Sequence, residues 1–90
     1  MSVDKILDDR HDTYGTFRDL AEIAVDLRNV LLAHLIYKKA RLPADCEEAL
    51  THICTKMARV VNGDPSHVDS WRDIAGYATL VADRLEGKSR

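Results

Sequence analysis

Apolar residues recur at intervals of three and four along almost the whole chain, which is the spacing of an amphipathic α-helix. Glycine, proline and asparagine interrupt this pattern and divide it into four segments. The pattern predicts a short helix from Val3 to Arg10, a helix from Thr16 to Lys39, a helix from Leu42-Pro43 to Asn62-Gly63, and a helix from Ser66 to Gly87. No segment shows the pattern of a β-strand.

Local signals at the ends of these segments support the division. Thr16 and Asp19 are three residues apart and resemble a capping box at the start of the second helix. Ser66 and Asp69 form a similar pair at the start of the fourth helix. Gly63 is predicted to be the left-handed residue that ends the third helix.

The fold class predicted from this pattern is all-α, with three long antiparallel helices and a short N-terminal helix. The chain has 90 residues, of which 46% are apolar, and this suits a single helical domain over residues 1–90. Because a chain of this size has a thin core, we expect it to assemble as a homodimer or a higher homo-oligomer of helical bundles.

A helical wheel assigns an inward and an outward face to each of the last two helices. The third helix centres its predicted core face on Leu50 and Met57, and its opposite face carries Glu48, His52, Thr55, Lys56 and Arg59. The fourth helix has a predicted core face of Val68, Trp71, Ile74, Ala75, Ala78, Val81, Ala82 and Leu85. Its opposite face carries Asp69, Asp73, Gly76, Tyr77 and Leu80.

Charge and cysteine content argue against several classes of protein. A net charge of −2 argues against a general nucleic-acid-binding protein, which usually has a basic domain. The longest apolar run, from Val30 to Tyr37, is too short to cross a membrane. Cys46 and Cys54 are eight residues apart on one predicted helix, about 12 Å, which is too far for a disulfide. Free thiols and the absence of a signal peptide predict a cytoplasmic protein.

The charged residues around the last turn form the main candidate site. Lys56 and Arg59 precede the turn, whereas Asp69, Asp73 and Tyr77 follow it at intervals of four. The cations could bind phosphate groups, and the two carboxylates could share Mg²⁺. Alternatively, Arg59 could pair with Asp69 or Asp73, so that these residues form only a structural contact between two helices.

Two further features bear on this site. His11 and Tyr14 lie where the chain turns after the first helix, and either could contribute to a ligand site or serve only the turn. Gly76 lies in the middle of the fourth helix, where glycine costs about 1 kcal/mol relative to alanine. A glycine at this position suggests that another part of the protein, a second subunit or a ligand approaches the helix closely.

The order of these motifs resembles a known group of proteins. His11, Tyr14-Gly15, Lys56-xx-Arg59, Asn62-Gly63-Asp64 and the run from Asp69 to Ala78 resemble small, mostly uncharacterised phage and prophage proteins. Those proteins are similar to the nucleotide-modification-associated domain family. The overall layout is also distantly similar to the all-α nucleoside triphosphate pyrophosphatases of the MazG type. A phage origin would place the protein in the host cytoplasm.

The MazG-type resemblance implies Mg²⁺-dependent cleavage of a nucleoside triphosphate to a monophosphate and pyrophosphate. Enzymes of that type hold the metal with a Glu-xx-Glu pair on one helix and a Glu-xx-Asp pair on the next. In this chain Glu48 and His52 stand near the first pair, and Asp69 and Asp73 stand in place of the second. The implied metal ligands are therefore Asp69, Asp73 and Glu48.

Three functional hypotheses follow from the residues and the resemblance. The first is a small helical protein that binds a nucleotide or a nucleotide-like phosphate ligand through His11, Tyr14, Lys56, Arg59, Asp69, Asp73 and Tyr77. The second is a Mg²⁺-dependent nucleoside triphosphate pyrophosphatase. The third is a non-enzymatic interaction module that binds a host protein through an oligomeric helical surface.

Overall fold

Four α-helices make up the fold, and the all-α prediction is confirmed. The computed structural model describes residues 2–88. The helices are α1 (Val3–Tyr14), α2 (Phe17–Lys38), α3 (Ala44–Asn62) and α4 (Val68–Leu85), and no strand occurs within the described residues. The ion pair that joins Asp45 near the start of α3 to Arg84 near the end of α4 shows that these two helices are antiparallel.

The predicted end of the first helix is wrong. The helix does not stop at Arg10 but continues through Tyr14, because residues 11–14 include neither glycine nor proline. Gly15, with φ 77°, is the first residue that leaves the helical conformation. This one extra turn places His11 and Tyr14 on the helix itself rather than in a loop.

Two predictions about helix ends also need correction. Gly63 has φ −131°, so it is not a left-handed cap. Ser66 does not cap α4, which begins at Val68 after His67. Instead, the backbone N–H and the hydroxyl of Ser66 donate to Asp64 Oδ1, at 2.9 and 2.6 Å. An aspartate side chain that bonds two residues ahead favours a turn over a helix start.

The three long helices form an open layer with α3 in the middle. α3 packs against α2 on one side and against α4 on the other, and α1 contacts α2 and α3. Among the described residues, α2 and α4 do not contact each other. The core is accordingly thin: Leu20 and Ala24 pack against Ala58, with Tyr14 and Ile23 beside them.

The predicted core face of α4 is largely exposed. Val68, Trp71 and Leu85 are 54, 55 and 69% exposed, whereas Ser70 and Asp83 are buried. Because α2 does not reach α4, α4 packs against α3 alone within the described residues. The strip of α4 that faces α3 carries polar residues such as Asp73 and Tyr77 rather than the apolar stripe.

Candidate functional site

The turn after α1 and the turn after α3 are joined by hydrogen bonds. Asn62 Nδ2 donates to Tyr14 O at 2.8 Å and to Thr16 O at 3.0 Å. The backbone N–H of Asp64 donates to Thr13 O at 2.7 Å. The Tyr14-Gly15 and Asn62-Gly63-Asp64 motifs of the sequence therefore meet in space and fix α1 against the end of α3.

Both glycines of this junction are required by close backbone contact. A Cβ at Gly63 would overlap Thr13 O and the Cα of Tyr14. A Cβ at Gly15 would overlap Asn62 O, and its positive φ also favours glycine. These contacts explain the two glycines structurally, without any ligand.

The junction places the Tyr14 ring beneath Arg59. The guanidinium carbon of Arg59 lies 4.4 Å from the Tyr14 ring centroid, which is a cation–π contact. The Tyr14 hydroxyl lies 3.5 Å from His67 Nε2, and the two rings meet edge to face with centroids 5.6 Å apart. His67 thus belongs to this cluster, although its sequence position carried no signal of a role.

Arg59 lacks the acidic partner that one of the two sequence-based alternatives gave it. Its side chain forms no ion pair with any described residue, so the expected pairing with Asp69 or Asp73 is wrong. Its Nε is closed off from solvent and has no hydrogen-bond acceptor within the described residues. A buried donor without an acceptor costs roughly 1–3 kcal/mol. Arg59 is therefore a cation without an acidic partner, and its Nε is an unsatisfied donor.

A cleft of about 470 Å³ opens beside Arg59. Residues of α1, α2 and α3 line this Arg59 cleft, namely Leu7, Arg10, His11, Tyr14, Gly15, Phe17, Leu20, Thr55 and Arg59. A smaller cleft of about 280 Å³ shares Arg10, Tyr14 and Arg59 and reaches His67. The walls combine apolar side chains with two guanidinium groups, a composition that suits a ligand with an apolar part and an anionic part.

Leu7, Arg10 and Phe17 also line this cleft, and the sequence pattern did not predict them as site residues. Leu7, Arg10 and Tyr14 are three and four residues apart, so they share one face of α1. Ending the helix at Arg10 concealed that shared face. The spacing of apolar residues assigns Phe17 to the core stripe of the second helix, but Phe17 is 80% exposed and lines the cleft.

Polar pairs hold α3 against α4, and we call this contact the α3–α4 interface. Lys56 Nζ lies 3.1 Å from Asp73 Oδ2, and the Lys56 side chain is only 13% exposed. The rings of His52 and Tyr77 stack with centroids 4.6 Å apart and planes 4° from parallel. Three of the predicted site residues, Lys56, Asp73 and Tyr77, thus lie at a contact between helices.

The same interface extends to the far end of α3. Arg84 donates through Nε and Nη2 to the two carboxylate oxygens of Asp45, at 2.7 and 2.6 Å. This bidentate contact lowers the pKa of Asp45 below its ordinary value and raises that of Arg84.

Burial raises the pKa of the Cys54 thiol, on the side of α3 that faces α2. These shifts arise from scaffold contacts.

The residues proposed to hold Mg²⁺ do not fit a metal site in this arrangement. Asp73 faces the Lys56 ammonium group, and Glu48 Oε1 lies 2.7 Å from His52 Nε2. Asp69 is exposed on the first turn of α4. Within residues 2–88 no three His, Cys, Asp or Glu side chains lie close enough together to hold a metal ion.

Gly76 lies in the open on α4. A Cβ built on it would meet no atom of the described residues within 4 Å, so no part of the N-terminal segment approaches it. A shallow groove of about 430 Å³ runs past it, lined by Arg72, Asp73, Tyr77 and Leu80. The expected close approach by another part of the same chain is therefore wrong.

Comparison with known proteins places the chain in a family. No protein of curated function and no solved structure is significantly similar to it. In the part of the chain that the structure describes, no helix is both long and apolar enough to cross a membrane. The family model for a domain of unknown function, DUF6378, matches residues 2–85, nearly the whole chain. The chain therefore belongs to the DUF6378 family.

Proposed function

We propose that this protein binds a nucleotide or a nucleotide-like phosphate ligand in the Arg59 cleft. The observation that carries the proposal is Arg59 itself, a half-buried guanidinium with neither an acidic partner nor an acceptor for its Nε. Phosphate oxygens are the acceptors that a guanidinium binds most effectively, in a bidentate manner. A phosphate ligand in the cleft would therefore give Arg59 the counter-charge that no described residue provides.

The rest of the cleft supports a ligand that also has an apolar ring. Arg10 lines both clefts beside Arg59 and has no ion pair to a described residue, so it can meet the same phosphates. Leu7 and Phe17 also line the cleft, are exposed, and offer apolar contact to a base. His11 is a further exposed residue of the lining.

Some of the residues that the sequence suggested lie outside the proposed site. Lys56 and Asp73 neutralise each other, and Tyr77 stacks on His52, so we assign these residues to the α3–α4 interface. Arg59, Tyr14 and His11 remain the ligand-binding residues, joined by Arg10 and Phe17. Pyrophosphatase activity, the phage origin and the cytoplasmic location stay predictions from the sequence.

A binding measurement tests the proposal. We would titrate the protein with ATP, dATP, tripolyphosphate and adenosine by isothermal calorimetry, with and without Mg²⁺. Arg59→Met keeps the apolar stem of the side chain and removes the charge, and it is expected to weaken triphosphate binding about 10- to 100-fold. Tripolyphosphate binding more weakly than ATP would show that the apolar wall contributes.

Arg72→Met is the matched control. It removes an exposed guanidinium from the groove beside Gly76, outside the Arg59 cleft, and is expected to leave the affinity unchanged. Binding that depends on Arg72 but not on Arg59 would place the site on α4 and contradict the proposal. Chromatography of the same mixtures for monophosphate and pyrophosphate would detect turnover.

The alternative function, an interaction module that binds another protein, also has an observation in its favour. The apolar stripe of α4 is uncovered, and Trp71 on it is 55% exposed. Exposed apolar patches often mark contacts between proteins. Failure of all four probes to bind would leave this alternative as the better account of the chain.

A further inference from the structure

The isolated chain exposes more surface than a folded protein of its mass. Its accessible surface is 6749 Å², whereas a compact monomer of 10.1 kDa exposes about 5,300 Å². Its radius of gyration is 15.1 Å, against roughly 12 Å for a compact domain of this length. The excess of about 1,400 Å² per chain matches what each subunit buries in an obligate homodimer, whose interfaces total roughly 2,000–5,000 Å².

The uncovered apolar surface includes one face of α4. The residues of this α4 stripe are separated alternately by three and four positions, and all six are exposed: Val68, Trp71, Ala75, Ala78, Ala82 and Leu85. Spacing of this kind forms the contact line between two packed helices. The stripe contains no charged residue, and none of its members lines the Arg59 cleft.

The stripe is complementary to itself when two copies of α4 run antiparallel. In such a pair Trp71 lies opposite Ala82 of the second copy, and Val68 lies opposite Leu85. Ala75 and Ala78 then face each other at the centre, where small side chains allow close approach of the helices. The one large aromatic residue thus meets a small residue, the two aliphatic residues meet at the ends, and two alanines meet at the centre.

A parallel pair would fit less well. Each residue would then face its own copy, so that two Trp71 rings would share one layer while the alanine layers remained thin. The antiparallel arrangement is also isologous, since each contact occurs twice about a two-fold axis, as in most homodimers. Trp71 Nε1 already donates to Pro65 O at 2.8 Å, so burying the ring leaves no unpaired donor.

We propose that a second copy of this chain covers the α4 stripe, and that the protein is a homodimer formed by antiparallel packing of α4 on α4. The excess surface indicates that a partner covers part of the chain, and the self-complementary register of the stripe points to the same helix of a second copy. The proposal is independent of nucleotide binding.

Sedimentation equilibrium over a wide range of protein concentrations tests the proposal. The wild-type chain is expected to sediment at twice its 10.1 kDa mass. Ala78→Glu places a carboxylate at the centre of the stripe and is expected to weaken dimerisation at least about 100-fold. Because Ala78 is exposed in the single chain, the helix content measured by circular dichroism should not change. Ala33→Glu, on the exposed face of α2, is the matched control and should remain dimeric.

Mixing two variants tests the antiparallel register. Ala75→Lys and Ala78→Glu chains should each be monomeric alone, but mixed they should form a heterodimer in which lysine faces glutamate. Trp71 is the single tryptophan of the chain, so its fluorescence should shift to shorter wavelength on dimerisation. A wild-type monomer at all concentrations, or a dimer that survives Ala78→Glu, would overturn the proposal. Failure of the mixture to associate would overturn the antiparallel register.

Discussion

Lys56 and Arg59 lie on neighbouring turns of α3, but their surroundings differ. Lys56 points to α4 and forms an ion pair with Asp73 at 3.1 Å. Arg59 points to α1, lies over the Tyr14 ring and has no acidic partner among the described residues. Two cations with the same sequence signal thus have different partners. A charge satisfied within the fold holds helices together, whereas an unsatisfied one is available to a ligand.

The largest effect is expected from a substitution at the junction that holds α1 beside Arg59, with Arg59 and Lys56 left unchanged. Gly63→Ala would force the backbone of α3 away from Thr13 and Tyr14, because the added Cβ overlaps both. We expect the free energy of unfolding to fall by about 2–3 kcal/mol, from the cost of overpacking. In a thermal melt this corresponds to a Tm lower by roughly 10–20 °C. Nucleotide binding should be lost as well, because Tyr14 and Arg59 separate.

Gly76→Ala is the matched control for this prediction. Gly76 lies in the middle of α4, and a Cβ there would meet no described atom, in contrast to Gly63. Alanine at this position should therefore raise the free energy of unfolding by up to about 1 kcal/mol. A Gly63→Ala protein as stable as wild type would show that α1 is not held by the junction. The junction would then not be what holds the Tyr14 ring against Arg59.

The next effect concerns the α3–α4 interface alone. Asp73→Asn leaves the half-buried Lys56 ammonium group without its counter-charge. Because Asp73 is partly exposed, we expect a loss of about 1–2 kcal/mol in the free energy of unfolding rather than the full cost of a buried pair. Triphosphate affinity measured by calorimetry should stay the same.

A double substitution provides the control for that loss. Lys56→Met combined with Asp73→Asn removes both charges, and it should recover most of the stability because no unpaired charge remains. If Asp73→Asn instead left urea unfolding unchanged and abolished binding, then Asp73 would belong to the ligand site. Lys56 and Arg59 would then have the same role.

A smaller effect on stability is expected at Arg59. Arg59→Met removes a buried donor that lacks an acceptor but also loses the cation–π contact with Tyr14. These two terms oppose each other, so the free energy of unfolding should change by less than about 1 kcal/mol. Urea unfolding would measure this change in stability. Calorimetry on the same variant would measure the expected loss of triphosphate affinity, roughly 10- to 100-fold. A large loss of stability with unchanged affinity would show that Arg59, like Lys56, is structural.

The smallest effect is the pH dependence of the Asp45–Arg84 pair at the end of the α3–α4 interface. Since the pKa of Asp45 is lower in the folded chain, its contribution is present above the ordinary carboxyl pKa of about 4 and is lost as the pH falls through the lowered value. The Tm difference between wild type and Asp45→Asn should therefore be constant from pH 7 to about pH 5 and vanish toward pH 2.

Asp26→Asn is a suitable comparison for the pH series, because Asp26 is exposed and has no ion pair within residues 2–88. Its Tm should follow that of the wild type throughout. A pH-independent difference for Asp45→Asn would mean that the bidentate contact contributes through packing rather than charge.

Most of the secondary structure was predictable from the chain. The three- and four-residue spacing of apolar positions located all four helices, since each has an apolar stripe. The errors lie at helix ends: at Arg10, where the helix continues for another turn, and at Ser66, where Asp64 forms a turn instead. Such ends depend on single hydrogen bonds, which the spacing of apolar residues does not report.

The candidate site was predicted only in part. The sequence singled out Lys56 and Arg59 because of their charge and spacing, but it could not show that one faces α4 and the other α1. It named Tyr14 and His11, yet it missed Arg10 and Phe17, which reach the same cleft from α1 and α2. Residues from three helices converge there, and that convergence depends on how the helices pack.

The sequence by itself determined the all-α class and the apolar stripe of each helix, because these follow from local periodicity. It predicted a special role for Gly63, but that role is a close backbone contact and not the left-handed conformation that the sequence suggested. The tertiary structure decided which stripe is covered. Since α2 and α4 lie on opposite sides of α3, α4 presents Asp73 and Tyr77 to α3 and leaves Trp71 exposed. A wheel drawn for one helix ranks its faces by polarity, but only the positions of neighbouring helices determine which face is buried.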